Sequence, residues 1–312
     1  MLEPSPAALS GARHQPKPRG RFAPSPSGPL HFGSLIAAVG SFADVRAAGG
    51  SWLVRIDDLD KAREVPGAAD DILRTLERFG LLWDETVVYQ SRRTDAYVQA
   101  LGHLAERGLT FPCACSRSEI AILGRPGTEG PIYPGTCRNR LPARRRPRSQ
   151  RLRVDEAQIA FDDRIHGHLV QDLAADVGDF VLCRADGTHA YQLAVVVDDA
   201  AAGISSIVRG ADLLMSTPRQ VYLQRLLGLP QTSYAHLPVA VDDDGRKLSK
   251  SLSSAPVDPD HPLPALLRAW RFLGQAPLPE TVGSVRAFWQ QALTAWRIEH
   301  VPRARALPLQ PR

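Results

Sequence analysis

Blocks of apolar residues, separated by clusters of Gly, Pro and Ser, recur along this chain at spacings that alternate between strand-like and helical. In RGRFAPSPSGPLHFGSLIAAVGSFADVRAAGG a short strand crosses a Pro/Gly/Ser loop into an apolar, Ala-rich helix that starts near Gly33 or Ser34. SWLVRIDDLD predicts a buried strand ending in carboxylates, and a charged amphipathic helix follows from about Val65 to Phe79. TDAYVQALGHLAERG carries apolar positions at helical spacing, with Gly108 as its C-cap. Strand, helix, strand in this order predicts a parallel α/β sheet.

The pattern breaks between Phe111 and Asp163 into loops rich in Pro, Gly and Arg, which read as an insertion. It resumes with strand-like runs in DFVLCRADG, AYQLAVVVDD and ISSIVRG. A helix around Pro218 to Leu227 comes next, then strand-like AHLPVAV, the polar loop DDDGRKLSKS and a Pro-rich, partly helical tail. Trp270, Trp289 and Trp296 in that tail are placed to pack a small helical cap.

Composition adds three points. The 312 residues suggest about two domains, and 44% apolar content is ordinary for a chain that buries a large core. The net charge is only +5, but Lys17, Lys61, Lys247 and Lys250 are the sole lysines among 38 basic residues, which leaves 34 arginines. Where two lysines fall three positions apart, chemistry is a better explanation than solubility. The N-terminus lacks a secretory h-region and no apolar stretch is long enough for a membrane span, so the expected compartment is the reducing cytoplasm. Three of the four cysteines (Cys113, Cys115 and Cys137) fall within 25 residues, and an odd cluster there points to a metal rather than to disulfides.

Two motifs carry the candidate chemistry. In Arg21-Phe-Ala-Pro-Ser-Pro-Ser-Gly-Pro-Leu-His31-Phe-Gly33-Ser34 a Gly-containing loop delivers the chain to a helix N-terminus, where free N–H groups and the helix dipole attract an anion. Gly33 permits close backbone approach and His31 can donate to a phosphate oxygen; the alternative is a Pro-rich turn with a surface histidine. In Gly245-Arg246-Lys247-Leu248-Ser249-Lys250-Ser251 two of the four lysines sit in a loop whose ammonium groups can follow charge building on a triphosphate. The alternative there is a solvated basic turn.

Together the two motifs resemble the paired nucleotide-binding signatures of class I aminoacyl-tRNA synthetases. RFAPSPSGPLHFGSL, RIDDLD, YQLAVVVDD, VRGADLL and TPRQ extend the resemblance to the glutamyl-tRNA synthetase group over roughly residues 20 to 255. Three thiolates at Cys113, Cys115 and Cys137 are good zinc ligands and need a fourth donor. The segment has no histidine, which leaves Tyr133, with water or His103 as alternatives. The CxC…Y…C arrangement is similar to that of the glutamyl-Q tRNA(Asp) synthetases, short paralogues in which the tyrosine completes a structural zinc site. About sixty residues follow the lysine loop, too few for the long helical anticodon-binding region of a discriminating glutamyl-tRNA synthetase.

The resemblance implies an α/β, Rossmann-like parallel-sheet catalytic domain with a zinc-bearing insertion and a short helical C-terminal tail. The expected division is a flexible tail at 1–19, a catalytic domain split between 20–110 and 164–240, a zinc-bearing, Arg-rich insertion at 111–163, the lysine loop at 241–255 and the tail at 256–312. It implies ATP binding by His31, Gly33, Ser34, Lys247, Ser249 and Lys250, with His31 and Lys250 catalytic and Mg²⁺ on the phosphates. Glutamate would be held by Arg21, Ser25, Tyr191 and Arg209, with Arg209 as the fork for the γ-carboxylate. Asp57 would face the ammonium, although it stands where the family commonly has glutamate. The implied partners are ATP, L-glutamate and queuosine-containing tRNA(Asp), the chain acting as a monomer away from membranes. The rival readings are a truncated glutamyl-tRNA synthetase, another class I-like nucleotidylyltransferase, or a zinc-containing RNA-binding module. From Arg138 to Arg153 eight arginines occur in sixteen residues without an acid. Such a run either tracks RNA phosphates or forms a solvated loop.

Overall fold

A computed structural model describes residues 17–155, 157–242, 245 and 256–309. Residues 1–16 of the expected tail, and Lys247, Ser249 and Lys250, lie outside the described residues. In chain order the first half comprises β1 (Arg19–Phe22), α1 (Phe32–Ala47), β2 (Ser51–Ile56), α2 (Ala68–Arg78), β3 (Val88–Tyr89) and α3 (Thr94–Glu106). There follow β4 (Thr110–Cys113), α4 (Arg117–Leu123), β5 (Pro126–Gly127), β6 (Gly130–Pro131), β7 (Ser149–Leu152), β8 (Gln158–Asp163), β9 (Gly167–Asp172) and α5 (Leu173–Asp176). The remainder is β10 (Val181–Cys183), α6 (Tyr191–Ala201), β11 (Ser206–Gly210), α7 (Thr217–Leu227), β12 (Ser233–Leu237), β13 (Val239–Val241), α8 (Pro262–Phe272), α9 (Val285–Ala295) and β14 (Ala306–Pro308).

Strands β1, β2 and β3 form one parallel sheet, and β11, β12 and β8 form another, with β9 antiparallel at its edge. The two meet where β1 lies against β11, joined by Ser205 N–H donating to Arg19 O at 2.9 Å and Arg19 N–H to Ser205 Oγ at 3.0 Å. The resulting order, β3-β2-β1-β11-β12, reverses direction between β1 and β11. In a doubly wound α/β sheet ligands bind in the crevice outside the strand carboxyl ends at such a reversal. Gly20 in β1 is required by close packing, since a Cβ there would sit 2.3 Å from Val45 Cγ2 of α1.

One face of the sheet is covered by α1, α2, α8 and α9, and the other by α3, α6 and α7. The C-terminal helices belong to the main core rather than capping it from outside. Trp270, Trp289 and Trp296 are all buried there; Trp289 Nε1 donates to Phe79 O at 2.8 Å and Trp296 Nε1 to Asp44 Oδ1 at 3.3 Å. Strand β14 pairs with β13 in parallel, so the chain's end braces the strand that leads into the lysine segment.

AYQLAVVVDD, strand-like as sequence, is the helix α6. Its apolar run is buried between the sheet and α7, so it shows no polar face from which helical periodicity could be read. The expected strands in SWLVRIDDLD and ISSIVRG form as β2 and β11, and DFVLCRADG contributes only the three residues of β10. The helix expected from about Val65 starts at Ala68, while α3 ends as expected, with Gly108 at φ +67° just past it. No helix among the described residues is long and apolar enough to cross a membrane.

Candidate active site and cysteine cluster

The loop after β1 turns into α1 at His31, which is the N-cap. Its Nδ1 accepts from Ser34 N–H at 3.2 Å, and Nε2 lies 3.0 Å from Ser34 Oγ, so the ring folds back over the first helical turn. A Cβ at Gly33 would come within 3.3 Å of that ring, which explains glycine at this position. After the lysine segment the chain returns to this loop, with Val257 N–H donating to Leu30 O at 2.9 Å and Pro256 bridged to His31. Both described flanks of the lysine segment are therefore anchored, one on β14 and the other on the His31 loop.

At the carboxyl ends of β1 and β2 lies a buried network of charges. Arg21 Nε sits 3.2 and 3.3 Å from the two oxygens of Asp199. Arg55 Nη1 donates to the same carboxylate at 2.6 Å, and Arg55 Nε donates to Asp57 Oδ1 at 2.6 Å. Next along α6, Asp198 accepts from Arg93 Nε at 2.5 Å, Gln90 Nε2 at 2.8 Å and Tyr97 Oη at 2.7 Å. Three arginines meet three aspartates, so the buried network is formally neutral. Burial pushes the Asp199 carboxyl up, but the Arg21 and Arg55 guanidiniums outweigh it and hold it below the usual range. For Asp57 burial wins, and its carboxyl is raised despite the Arg55 contact.

Arg209, near the end of β11, is equally buried but differently held. Its Nε donates to His236 Nε2 at 3.1 Å and its Nη2 to Thr217 Oγ1 at 2.9 Å. Nη1 is buried with no hydrogen-bond partner, and no carboxylate pairs with Arg209 among the described residues. Burial lowers the His236 imidazole to about 4, although the adjacent Asp163 pulls the other way. His236 is therefore neutral near pH 7.

Of the residues expected to hold glutamate, Arg21 and Arg209 lie near the carboxyl ends of the two strands that flank the reversal, and Asp57 follows β2, one strand away. Tyr191 opens α6 and is half-buried, and Ser25 is exposed in the turn after β1. Asp57 faces Arg55 at closest range. Sequence reasoning singled out neither Asp199 nor His236. The adjacent aspartates closing the apolar run of α6 were the available signal for the first; a lone histidine in a strand gave none for the second.

The three cysteines converge. Their sulfurs lie within 4.8 Å of one another, and no histidine, aspartate or glutamate among the described residues joins them. His103 is exposed on α3 and outside this group. Cys115 Sγ and Cys137 Sγ are 3.7 Å apart, close to the ~3.8 Å edge of a tetrahedron with metal–sulfur bonds of about 2.3 Å. Tyr133 Oη is 3.5 Å from Cys113 Sγ and 3.8 Å from Cys115 Sγ, near the ~3.5 Å expected for a mixed sulfur–oxygen edge. The donor set and its spacing fit zinc. Arg151 stacks over the Tyr133 ring at 4.2 Å, while burial and the neighbouring cysteine thiols push the phenol well above its ordinary range.

The arginine run is fastened to this cluster. Arg148 N–H donates to Cys113 O at 2.9 Å, and Arg145 grips both oxygens of Glu119 at 2.7 and 3.0 Å. Glu119 also closes the capping box of α4 with Ser116, and these contacts bring its carboxyl down to about 2. Arg138 pairs with Asp155 and Asp179, whereas Arg140, Arg144, Arg146 and Arg148 are exposed and form no ion pair among the described residues. The run is thus part scaffold and part unpaired charge.

Comparison with known proteins shows the family. Residues 17–261 match the family model described as tRNA synthetases class I (E and Q), catalytic domain. The chain is 56% identical over 289 residues to the glutamyl-Q tRNA(Asp) synthetase of Dechloromonas aromatica, covering 91% of this chain and 96% of that protein. It is 52% identical over 292 residues to the enzyme of that name from Chromobacterium violaceum, covering 94% and 97%. In fold it is similar to the glutamate-tRNA synthetase of Elizabethkingia anophelis, with a TM-score of 0.77 at 22% identity, covering 94% of this chain and 68% of that one. A strand-end crevice beside a His31-capped helix, with sequence identity sustained over nine-tenths of the chain, leads to one assignment: the chain belongs to the class I tRNA synthetases (E and Q), among the glutamyl-Q tRNA(Asp) synthetases.

Proposed function

We propose that the chain activates glutamate with ATP and passes the glutamyl group to the queuosine of tRNA(Asp). The observation that carries this reading is Arg209, a buried guanidinium with no carboxylate partner and one unsatisfied nitrogen among the described residues, placed where an α/β sheet binds its ligand. The acceptor follows from the name that the similar enzymes carry.

In the first step a glutamate α-carboxylate oxygen attacks the α-phosphorus of ATP, the α–β bridging bond breaks, and pyrophosphate leaves. In the second a queuosine hydroxyl attacks the mixed anhydride, loses its proton, and AMP leaves as the ester forms. No protein nucleophile is needed, so the residues act by placement and charge. Arg209 holds the γ-carboxylate, while Arg21, Ser25, Asp57 and Tyr191 line the rest of the amino-acid site. His31, Gly33, Ser34 and the first-turn amides of α1 receive phosphate oxygens, and Lys247, Ser249 and Lys250 supply further donors to them. Mg²⁺ accompanying ATP offsets phosphate charge.

A zinc ion held by Cys113, Cys115, Tyr133 and Cys137 would be structural, because four protein donors leave no open position. Reducing cytoplasm suits such thiolates. The exposed arginines beside the cluster supply an RNA contact. The catalytic unit comprises two halves, 20–110 and 164–240, around an insertion at 111–163 whose own sheet takes in Val181–Cys183 and whose last strand, β8, pairs with β12 of the catalytic sheet.

Glutamate-dependent ATP–pyrophosphate exchange without tRNA, together with labelled glutamate accepted by queuosine-containing tRNA(Asp) but not by tRNA(Glu), is the expected result. Equal or preferential charging of tRNA(Glu) at its 3′ end would replace this reading with that of an ordinary glutamyl-tRNA synthetase.

A further inference from the structure

Behind Arg209 stand three buried residues with no role in the site described so far. Asp163 ends β8, His236 lies in β12, and Thr217 opens α7; their exposures are 3%, 0% and 0%. His236 Nδ1 is 2.6 Å from Asp163 Oδ2, and a carboxylate there accepts a proton from that nitrogen. This fixes the tautomer: Nδ1 carries hydrogen and Nε2 presents a lone pair, toward which Arg209 Nε points from 3.1 Å. Thr217 Oγ1 accepts from Arg209 Nη2 at 2.9 Å, and its own proton has two acceptors in reach, Leu213 O at 3.2 Å and the His236 Nε2 lone pair at 3.1 Å. The other oxygen of Asp163 is fully used, accepting from the backbone N–H of Ile165 at 2.9 Å and of His166 at 2.8 Å.

We infer that Asp163, His236 and Thr217 form a positioning relay that anchors Arg209 through neutral acceptors, leaving its whole charge available to the glutamate γ-carboxylate. A carboxylate in direct contact with Arg209 would fix the guanidinium equally well, but it would neutralise the charge before substrate arrived. Setting the aspartate one residue back, behind an imidazole, orients the arginine without that loss. The buried, unpartnered Nη1 is the donor that a bound carboxylate would complete. None of the three residues touches substrate. They act on specificity for glutamate by holding one donor fork in place, and the inference rests on the reading of Arg209 as that fork.

The relay makes a prediction that a simple packing role does not. In Asp163→Asn the side-chain oxygen can still serve Ile165 and His166, but an amide nitrogen now faces His236 Nδ1. The imidazole must shift its proton to Nε2, which turns a donor toward the Arg209 Nε–H. The KM for glutamate in ATP–pyrophosphate exchange is expected to rise about tenfold or more, with kcat and the KM for ATP changed by no more than about threefold. His236→Leu should do the same, whereas His236→Gln, which restores an acceptor facing Arg209, should recover most of the wild-type KM. Thermal unfolding and far-ultraviolet circular dichroism of each variant identify any that fail to fold, and Asp163→Asn, nearly isosteric, stands as the test if the His236 variants do. A wild-type glutamate KM in folded Asp163→Asn, or equal losses in kcat and in both KM values, overturns the relay. Arg209→Met separates the two levels: if it leaves the glutamate KM unchanged, the reading of Arg209 itself fails, and if it alone raises that KM, only the relay fails.

Discussion

Arg21 and Arg209 sit near the carboxyl ends of neighbouring strands, each 4% exposed, yet their surroundings are opposite in kind. Arg21 shares the Asp199 carboxylate with Arg55 inside a network whose charges cancel. Arg209 is held by an imidazole and a hydroxyl and keeps its charge. Burying an ion costs several kcal/mol, a penalty that pairing offsets around Arg21 and that stands uncompensated at Arg209, so the first arrangement depends on its counter-ion and the second stores an affinity for anions. The same residue type at the same depth is neutralised within the chain on one strand and left charged for a ligand on the next.

The largest effect should come from removing the shared counter-ion. Asp199→Ala leaves buried Arg21 without its carboxylate and Arg55 with Asp57 as its remaining close partner, and is expected to cost about 3–5 kcal/mol in urea unfolding, with loss of glutamate activation. A cost below about 1 kcal/mol would mean that Arg21 and Arg55 do not depend on it, and the contrast would collapse. Arg209→Met should behave inversely. Stability should hold within about 1 kcal/mol or improve, because an uncompensated buried charge is removed, while the glutamate KM rises about 10- to 100-fold. An Arg209→Met variant as unstable as Asp199→Ala would show that both arginines are braces.

Little of this contrast is visible in sequence. Arg55 and Asp199 lie 144 positions apart and Arg21 and Asp199 178, so which arginine is neutralised is decided by strand order and by the α6 segment, which reads as a strand. What could be read locally is β2 with its terminal carboxylates, α3 with Gly108 behind it, and the cysteine spacing, because each depends on residues within one short segment. Arg209 was singled out through family resemblance, and its anchor escaped because a histidine in AHLPVAV has no local pattern that separates relay from core. In the insertion the arginine run reads as uniform charge, whereas the fold commits Arg138 and Arg145 to ion pairs and Arg151 to a ring face.

A smaller effect follows from the His236 imidazole, lowered to about 4 by burial while Asp163, Arg209 and His166 face it. In the unfolded chain this histidine titrates near the ordinary value of about 6.5, so between those two values the unfolded state takes up a proton that the folded state refuses. Stability should therefore fall as pH drops through that window, by at most about 1.4 kcal/mol per pH unit from this group. Asp163, held below the ordinary carboxylate range, adds to the loss at lower pH still. Unfolding midpoints measured from pH 7 to pH 4 in wild type and His236→Gln should diverge, the variant losing less. Parallel curves would mean that His236 is not buried in its neutral form, and the neutral anchoring of Arg209 would go with it.

The smallest effect per residue tests whether the same division, between paired and unpaired arginines, extends to the insertion. Arg144, Arg146 and Arg148 are exposed without ion pairs among the described residues, while Arg145 between them grips Glu119 and the carbonyl of Ala114. If the unpaired set meets RNA phosphates, replacing all three with Gln should reduce the slope of log affinity for tRNA against log salt by about 2, since each phosphate contact on a single strand contributes about 0.7. Glutamate activation without tRNA should not change, because nothing in the amino-acid site touches these side chains. Arg145→Gln, by contrast, should leave the salt slope nearly intact and loosen the fastening of the loop to α4, with little change in global stability because the ion pair is solvent-screened. If instead Arg145→Gln and the triple variant lower the slope alike, the paired arginine reaches RNA as readily as its unpaired neighbours. Pairing within the chain would then no longer predict which arginines are free for a ligand, here or at Arg209.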